Sequence, residues 1–416
     1  MNIREAQLPK GWEIKKLGQV CDFQNGFAFK SNTYKETGLP ILRITNIQNQ
    51  SLEINELVYF DAKDYTENFD RFKVVKDDLV VAMSGATTGK LGINTTDTVF
   101  YLNQRVGKFI PKKEILKPFL YYFLSTKVEE SLRIAAGAAQ PNLSTEQLNN
   151  FEIPLAPLPE QQRIVALLDE AFAAIAKALA NAEQNLKNAK ELFESYLQGV
   201  FENGNWEEKT LGQLSKNKDA VVSGPFGSNL KVSDYKTEGI PILRLQNIGK
   251  GYFLNKSIKY ITKQKAEELK YHSFVAGDIA LAKLGIPIGK TCIIPENFES
   301  GIITADIVRI RPDLNVVNYK FLENFLNTSL SVSQLTGNIS GATRPRVNLS
   351  DVRNIVIKLP SLQEQENIVK KLDSLSTETK RLEAIYQQKL TDLEELKKSV
   401  LQKAFSGELK TNEVNV

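Results

Sequence analysis

The sequence predicts a mixed α/β protein built as a tandem repeat. Two globular domains are each followed by a long helix, and the helices pair as an antiparallel coiled coil with pseudo-twofold symmetry. Three observations carry this expectation. Long segments return at a domain-sized offset. Short β-like runs broken by Gly, Asn and Asp occupy the first part of each half. A proline-free stretch with heptad spacing occupies the rest.

The repeat is visible in whole phrases. Leu155-Ala-Pro-Leu-Pro-Glu-Gln-Gln-Arg-Ile-Val165 returns as Leu359-Pro-Ser-Leu-Gln-Glu-Gln-Glu-Asn-Ile-Val369. Ser195-Tyr-Leu-Gln-Gly-Val-Phe201 returns as Ser399-Val-Leu-Gln-Lys-Ala-Phe405. Both pairs are separated by 204 positions, from Leu158 to Leu362 and from Ser195 to Ser399. Gly38-Leu-Pro-Ile-Leu-Arg-Ile-Thr-Asn-Ile47 returns as Gly239-Ile-Pro-Ile-Leu-Arg-Leu-Gln-Asn-Ile248, and Trp12 returns as Trp206. Solenoid repeats run roughly 20–50 residues, so this period marks whole domains. The boundaries read from it are a globular domain at 1–152, a helical spacer at 153–202, a second globular domain at 203–354, a second spacer at 355–411 and a tail at 412–416.

Within each globular part, strands are expected at Pro40–Ile44, Leu79–Met83, Val99–Leu102 and Gly107–Ile110. Their counterparts are Pro241–Leu245, Asp278–Ala282 and Ile302–Val308. Pro118–Leu124 and Tyr319–Leu326 read as short helices. The long helices start beside Pro157, Pro159 and Pro360, and no further proline occurs before Phe201 and Phe405, as an unbroken helix requires. Ile164, Leu168, Ala171, Ile175, Ala178, Ala182, Ala189, Leu192 and Tyr196 follow alternating spacings near three and four, with a weak position at Asn185. Ile368, Leu372, Leu375, Thr379, Leu382, Tyr386, Leu393, Leu396 and Val400 repeat the register, with Lys389 weak. Leu168, Ile175, Leu372, Leu382 and Leu393 are the candidate interface, where small alanines on one helix meet bulky residues on the other. The alternative is that each helix packs on its own domain. Antiparallel pairing exchanges the two repeats by a twofold axis, and each helix spans about 60 Å.

Composition narrows the function. The 416 residues suffice for two or three domains, and a net charge of +4 permits nucleic-acid binding on local patches without demanding it. The two cysteines, Cys21 and Cys292, do not correspond between repeats, which suits a reducing, cytoplasmic location. No apolar run approaches the roughly 18 residues of a membrane span, and Met1-Asn-Ile-Arg-Glu lacks a signal-peptide core. One histidine, His272, cannot build an ordinary zinc site with two separated cysteines, and no nucleophile elbow is present. No catalytic or metal-ligating residue is therefore assigned.

Ser84-Gly-Ala-Thr-Thr-Gly-Lys90 and Leu284-Gly-Ile-Pro-Ile-Gly-Lys-Thr291 resemble a phosphate loop but have three residues, not four, before the Gly-Lys pair. They read as tight strand-to-strand turns with basic tips, Lys90 and Lys290, suited to phosphate. Arg43 and Arg244 stand in mid-run of the Pro-Ile-Leu-Arg strands, as DNA contacts or as partners of an internal acid. The following Asn46 and Asn247 suit strand caps. Polar loops supply Gln104 and Arg105, then Gln140 and Asn142, and in the second half Arg344, Arg346 and Asn348. Arginine suits guanine edges or phosphates, and Gln or Asn suits adenine. The scaffold repeats while loop chemistry differs, as for two modules reading two different half-sequences.

The duplicated order resembles the specificity subunit of type I restriction-modification systems, and it does so over essentially the whole chain. The residues that carry the likeness are the Leu-Pro-Glu-Gln-Gln-Arg-Ile segment opening a long helix, the Leu-Gln-Gly-Val-Phe and Leu-Gln-Lys-Ala-Phe helix ends, and the Pro-Lys-Gly-Trp and Asn-Gly-Asn-Trp repeat starts. The resemblance implies two target-recognition domains reading an asymmetric, bipartite site in double-stranded DNA. It implies helices that act as a spacer and help dock two modification (methyltransferase) subunits, with restriction subunits joining the larger assembly. S-adenosylmethionine is then expected on the modification subunit and not here, since no Asn-Pro-Pro-Tyr-type signature occurs. Gln363 and Asn367 replace Pro159 and Arg163 in the second helix-start motif, so two docking surfaces need not be equal. The rival readings are a specificity module of another modification or defence system, and a coiled-coil scaffold with no DNA role.

Overall fold

The computed structural model describes residues 8–48, 50–136, 142–285, 287–337 and 346–409. The chain divides into two compact units, residues 1–182 with 388–416, and residues 183–387. Neither unit is a continuous stretch holding its own whole helix. Each long helix, Leu158–Asn203 and Leu362–Ser406, gives one part to each unit. At 46 and 45 residues they are each about 70 Å long.

In the first unit, Glu13–Lys16 pairs antiparallel with Glu152–Leu155 and closes the globular part into a loop. Between them lie a four-stranded sheet, in the order Val58–Phe60, Leu39–Leu42, Phe100–Leu102, Lys73–Val74, and a six-stranded sheet centred on Leu79–Ala82 and Leu91–Ile93. Leu39–Leu42 and Phe100–Leu102 run parallel, with Ile41 opposite Tyr101. The second unit repeats the plan, with four strands among the described residues in place of the six-stranded sheet. Glu207–Thr210 pairs with Val356–Leu359, and Ile240–Leu243 runs parallel to Ser300–Ile303 with Ile242 opposite Ile302. The short helices form at Lys117–Thr126 and Tyr319–Leu326.

Two strand expectations need correction. Ile302–Val308 is two strands, Ser300–Ile303 and Ile307–Ile310, broken at Thr304–Asp306. Arg43 and Arg244 stand just past the ends of their strands, each opening a 3-10 turn whose first backbone N–H is capped by the side chain of Asn46 or Asn247.

The helices pack antiparallel. The first unit's core combines Ile164, Leu168 and Ala171 from the start of the first helix with Val400, Leu401, Ala404 and Phe405 from the end of the second. Phe405 lies 5.1 Å from Phe119 of the domain, centroid to centroid. The second unit's core takes Leu197 and Phe201 from the first helix with Val369 and Leu372 from the second. Within each unit, helix pairing and packing on the domain thus share one core, and each helix packs on both domains and not on its own alone. Leu168, Ile175, Leu372 and Leu393 are buried and Leu382 is half-buried. The small positions Ala171, Ala182 and Ala189 are buried as well.

The stripe departs from the predicted register in its middle. Asn185 and Lys389 are exposed, and their successors Leu186 and Leu390 turn inward. The inward positions therefore take consecutive steps of four, Ala178–Ala182–Leu186 and Leu382–Tyr386–Leu390, which is a stutter in the heptad. Past it Phe193 and Leu197 face inward, and Leu192 is left 48% exposed. The divisions between the two units fall inside these steps.

The repeated Glu-Gln at each helix start has a structural use. Gln161 is fully buried; its Oε1 accepts from Leu116 N at 2.8 Å and its Nε2 donates to Glu114 O at 2.9 Å and Ala156 O at 2.8 Å. Gln365 does the same for Asn318 N and Pro360 O. Each glutamine ties the first helical turn to the loop before the domain's short helix. Among the described residues no helix is long and apolar enough to cross a membrane.

Candidate nucleic-acid interface

Five segments of the first unit are stitched into one patch. Gly26 lies so close to the Asn103 carbonyl that a Cβ would come within 2.0 Å of it. Met83 N donates to Arg105 O at 2.8 Å, and Leu143 N donates to Met83 O at 2.7 Å. Asn142 bridges Ser84, and a Cβ on Gly85 would sit 3.4 Å from Ile44, the neighbour of Arg43. The patch therefore gathers Arg43, Arg105 and Asn142, with Gln104 exposed beside them. The second unit makes the same stitches. Gly224 presses on the Thr304 carbonyl at the same 2.0 Å, Lys283 N donates to Asp306 O at 2.8 Å, Val347 N donates to Lys283 O at 3.1 Å, and Leu284 bridges Arg346. Beside it lies a cavity of about 360 Å³ lined by Arg244, Gln246, Tyr235 and Asp306 among others.

Same backbone, different chemistry: Met83 stands where Lys283 stands, Arg105 where Asp306 stands, and Asn142 where Arg346 stands. In the second unit the charges engage one another. Arg346 Nη2 is 2.8 Å from Asp306 Oδ1, and Lys283 Nζ donates to Ser223 Oγ at 2.5 Å. Burial, then the nearby Arg346 guanidinium, holds the Lys283 ammonium below its ordinary pKa, with Asp306 opposing. Arg346 is itself more than half exposed, so its outer donors face solvent.

The remaining predicted residues are placed as follows. Arg43 and Arg244 are half-buried, and each donates through Nη2 to a main-chain carbonyl of its own domain, Glu56 O at 3.1 Å and Ser257 O. The Nε of each is buried with no partner. Lys90 and Lys290 stand at the foot of the hairpin and not at its tip; their carbonyls accept from Ala82 N and Ala282 N at 2.9 Å. Gly89 and Gly289, both at positive φ, carry the chain past Ser131 and Leu335. Asn348 caps the helix Leu349–Arg353, its Oδ1 accepting from Asp351 N at 2.9 Å. Gln140 and Arg344 lie outside the described residues. Sequence reasoning passed over Lys283, Asp306 and Phe226. The first two become visible only when the turn and loop of one repeat are laid on the other.

Among the described residues no three His, Cys, Asp or Glu side chains converge to hold a metal ion. Cys21 and Cys292 are buried and unpaired, and burial pushes both thiols up to about 12, which keeps them protonated and unreactive. The site's chemistry is that of hydrogen bonding and charge, on paired loops carried by a rigid scaffold.

Residues 9–185 and 203–392 each match the type I restriction modification DNA specificity domain. The chain belongs to that family, twice over. It is 24% identical over 425 residues to the specificity subunit of the type I restriction enzyme EcoBI from Escherichia coli, covering 96% of this chain and 86% of that one. The MjaVIII specificity subunit of Methanocaldococcus jannaschii is 21% identical, over 98% of this chain and 95% of its own. Among solved structures, the HsdS subunit from Thermoanaerobacter tengcongensis superposes with a TM-score of 0.64 at 19% identity, covering 98% and 100% of the two chains. A chain from a study of complex assembly and conformational transition in the type I R-M system gives 0.74 at 20%, covering 97% and 100%. The two structural likenesses show a shared fold.

Proposed function

We propose that this chain reads an asymmetric, bipartite DNA target for a type I restriction-modification complex, one domain per half-site. The observation that carries this is the paired interface. The same loops are held by the same main-chain bonds in both units, and the side chains they present differ in charge. A duplicated scaffold with divergent loops recognises two different sequences. Arg105, Asn142 and Gln104 serve one half-site, and Arg346 and Gln246 the other, through base edges and phosphates. The antiparallel helices fix the gap and, with the adjacent domain surfaces, dock two modification subunits; restriction subunits complete the larger assembly. Methyl transfer and S-adenosylmethionine belong to the modification subunit, as does expulsion of the target base from the stack. Methylation-sensitive sequencing of host DNA tests the reading. It should show one bipartite motif that disappears when this gene is deleted. Persistence of every motif after deletion contradicts it.

A further inference from the structure

The two interfaces differ at one position that charge does not explain. In the first unit the chain leaves Gly26 and folds Phe27 and Phe29 back into an aromatic cluster with Phe60, Tyr65 and Phe69. In the second unit the equivalent glycine is Gly224, set by the same approach to a carbonyl. The chain rejoins the common register at Tyr235, matching Tyr34, so this loop is three residues longer (198 positions separate the glycines and 201 the tyrosines). Its ends are fixed by buried Pro225 and Leu230, and Asn229 N donates to Phe226 O at 2.8 Å. The Phe226 ring, between these anchors, is 84% exposed. A Cβ on the following Gly227 would meet nothing within 4 Å, so the loop's outer side is open.

An anchored loop that holds a bare phenylalanine leaves a large apolar ring in water, and burying it against a partner is favourable. What the flanks of its loop line selects the partner. Pro225 and Leu230 form one wall of the cavity that also contains Arg244 and Gln246, and Arg346 stands on Asp306 at the same edge. A bare aromatic ring on a loop whose flanking residues line a cavity with an arginine and an amide suits a nucleic-acid base, adding stacking or methyl contact to nearby hydrogen-bonding and phosphate-binding groups.

We infer that Phe226 is a base-contacting residue of the second unit, supplying an apolar contact that the first unit lacks. The inference rests on the DNA-reading role proposed above. The test uses the full chain assembled with its modification subunits, the duplex motif found by sequencing and a random duplex, with Phe226→Ala and Phe226→Trp variants. Phe226→Ala should weaken binding to the motif by roughly 5- to 100-fold, as expected for loss of one base contact. The dependence of binding on salt should stay unchanged, because no phosphate contact is lost. Phe226→Trp should retain most of the affinity, and in cells Phe226→Ala should relax the methylated motif in one half-site only. Equal binding by wild type and Phe226→Ala, or equal losses on motif and random DNA, overturns the inference while leaving the DNA-reading role intact. Failure of the wild-type complex to bind any duplex overturns both.

Discussion

Arg346 and Lys290 separate base reading from charge. Arg346 is exposed, braced by Asp306 and set on the patch, whereas Lys290 stands at the hairpin foot. Arg346→Ala should cost about 1–3 kcal/mol on the cognate duplex and relax one position of the motif. Lys290→Ala should weaken all duplexes alike and lower the slope of log affinity against log salt by about one. Binding titrations across salt concentrations distinguish the two. A different single-residue effect follows from Glu323, whose carboxyl is pushed up to about 7, chiefly by burial. Its folded-state value lies above its unfolded one, so folding is unopposed at low pH and is penalised progressively as pH rises through about 7. Glu323→Gln keeps an oxygen to accept from Ile293 N, which Glu323 Oε1 now does at 2.9 Å. The variant should match wild type in thermal unfolding near pH 4.5 and be more stable at pH 8, by on the order of 2–3 kcal/mol. Little at this scale was legible beforehand. Arg346 and Asn142 stood out by type, but Lys283 is a lysine buried by loops distant in sequence, and the outward turn of Phe226 depends on a three-residue difference that no motif announces.

The elements were far more legible, because prolines, heptads and turn residues act locally. The long helices followed from two proline-free, periodic stretches, and the hairpin turns followed from glycines that adopt positive φ. The stutter was half visible. Asn185 and Lys389 marked a lapse in the stripe, yet a fixed alternation of three and four carried the register on to Leu192, which the structure exposes. Winding absorbs the extra residue and brings Leu186 and Leu390 inward. Since the repeat already steps there, four more residues after Asn185 should be accommodated. They lengthen the helix that joins the units by about 6 Å. A base pair rises about 3.4 Å, so the methylated motif should widen by about one or two base pairs with both half-sites unchanged. An unchanged gap with activity retained would show that the helices do not set the spacing. The buried glutamines supply a stability test. Gln161→Leu should lower unfolding stability by about 2–4 kcal/mol, because the Leu116 N–H and two carbonyls lose their partner inside the core. Thermal melts of Gln161→Leu and Gln365→Leu should shift alike.

At the scale of the whole molecule, the duplication was legible from the outset, since both halves keep their scaffold phrases at a nearly constant offset. What the sequence did not disclose is that each compact unit takes part of both helices, because such sharing depends on the antiparallel pairing of residues more than two hundred positions apart. The globular parts nonetheless close on themselves. Glu13–Lys16 meets Glu152–Leu155 in one, and Glu207–Thr210 meets Val356–Leu359 in the other. Each domain is thus tied off at its own base, and a transplanted domain brings its complete set of reading loops. The central claim is that the two interfaces read independently. Residues 1–152 should be replaced by the matching domain of a relative with a different motif, and the methylated motif determined by sequencing in cells that express the matching modification subunit. One half-site should become that of the donor, with the other half-site and the gap retained. Alteration of both half-sites by the single exchange would contradict the account.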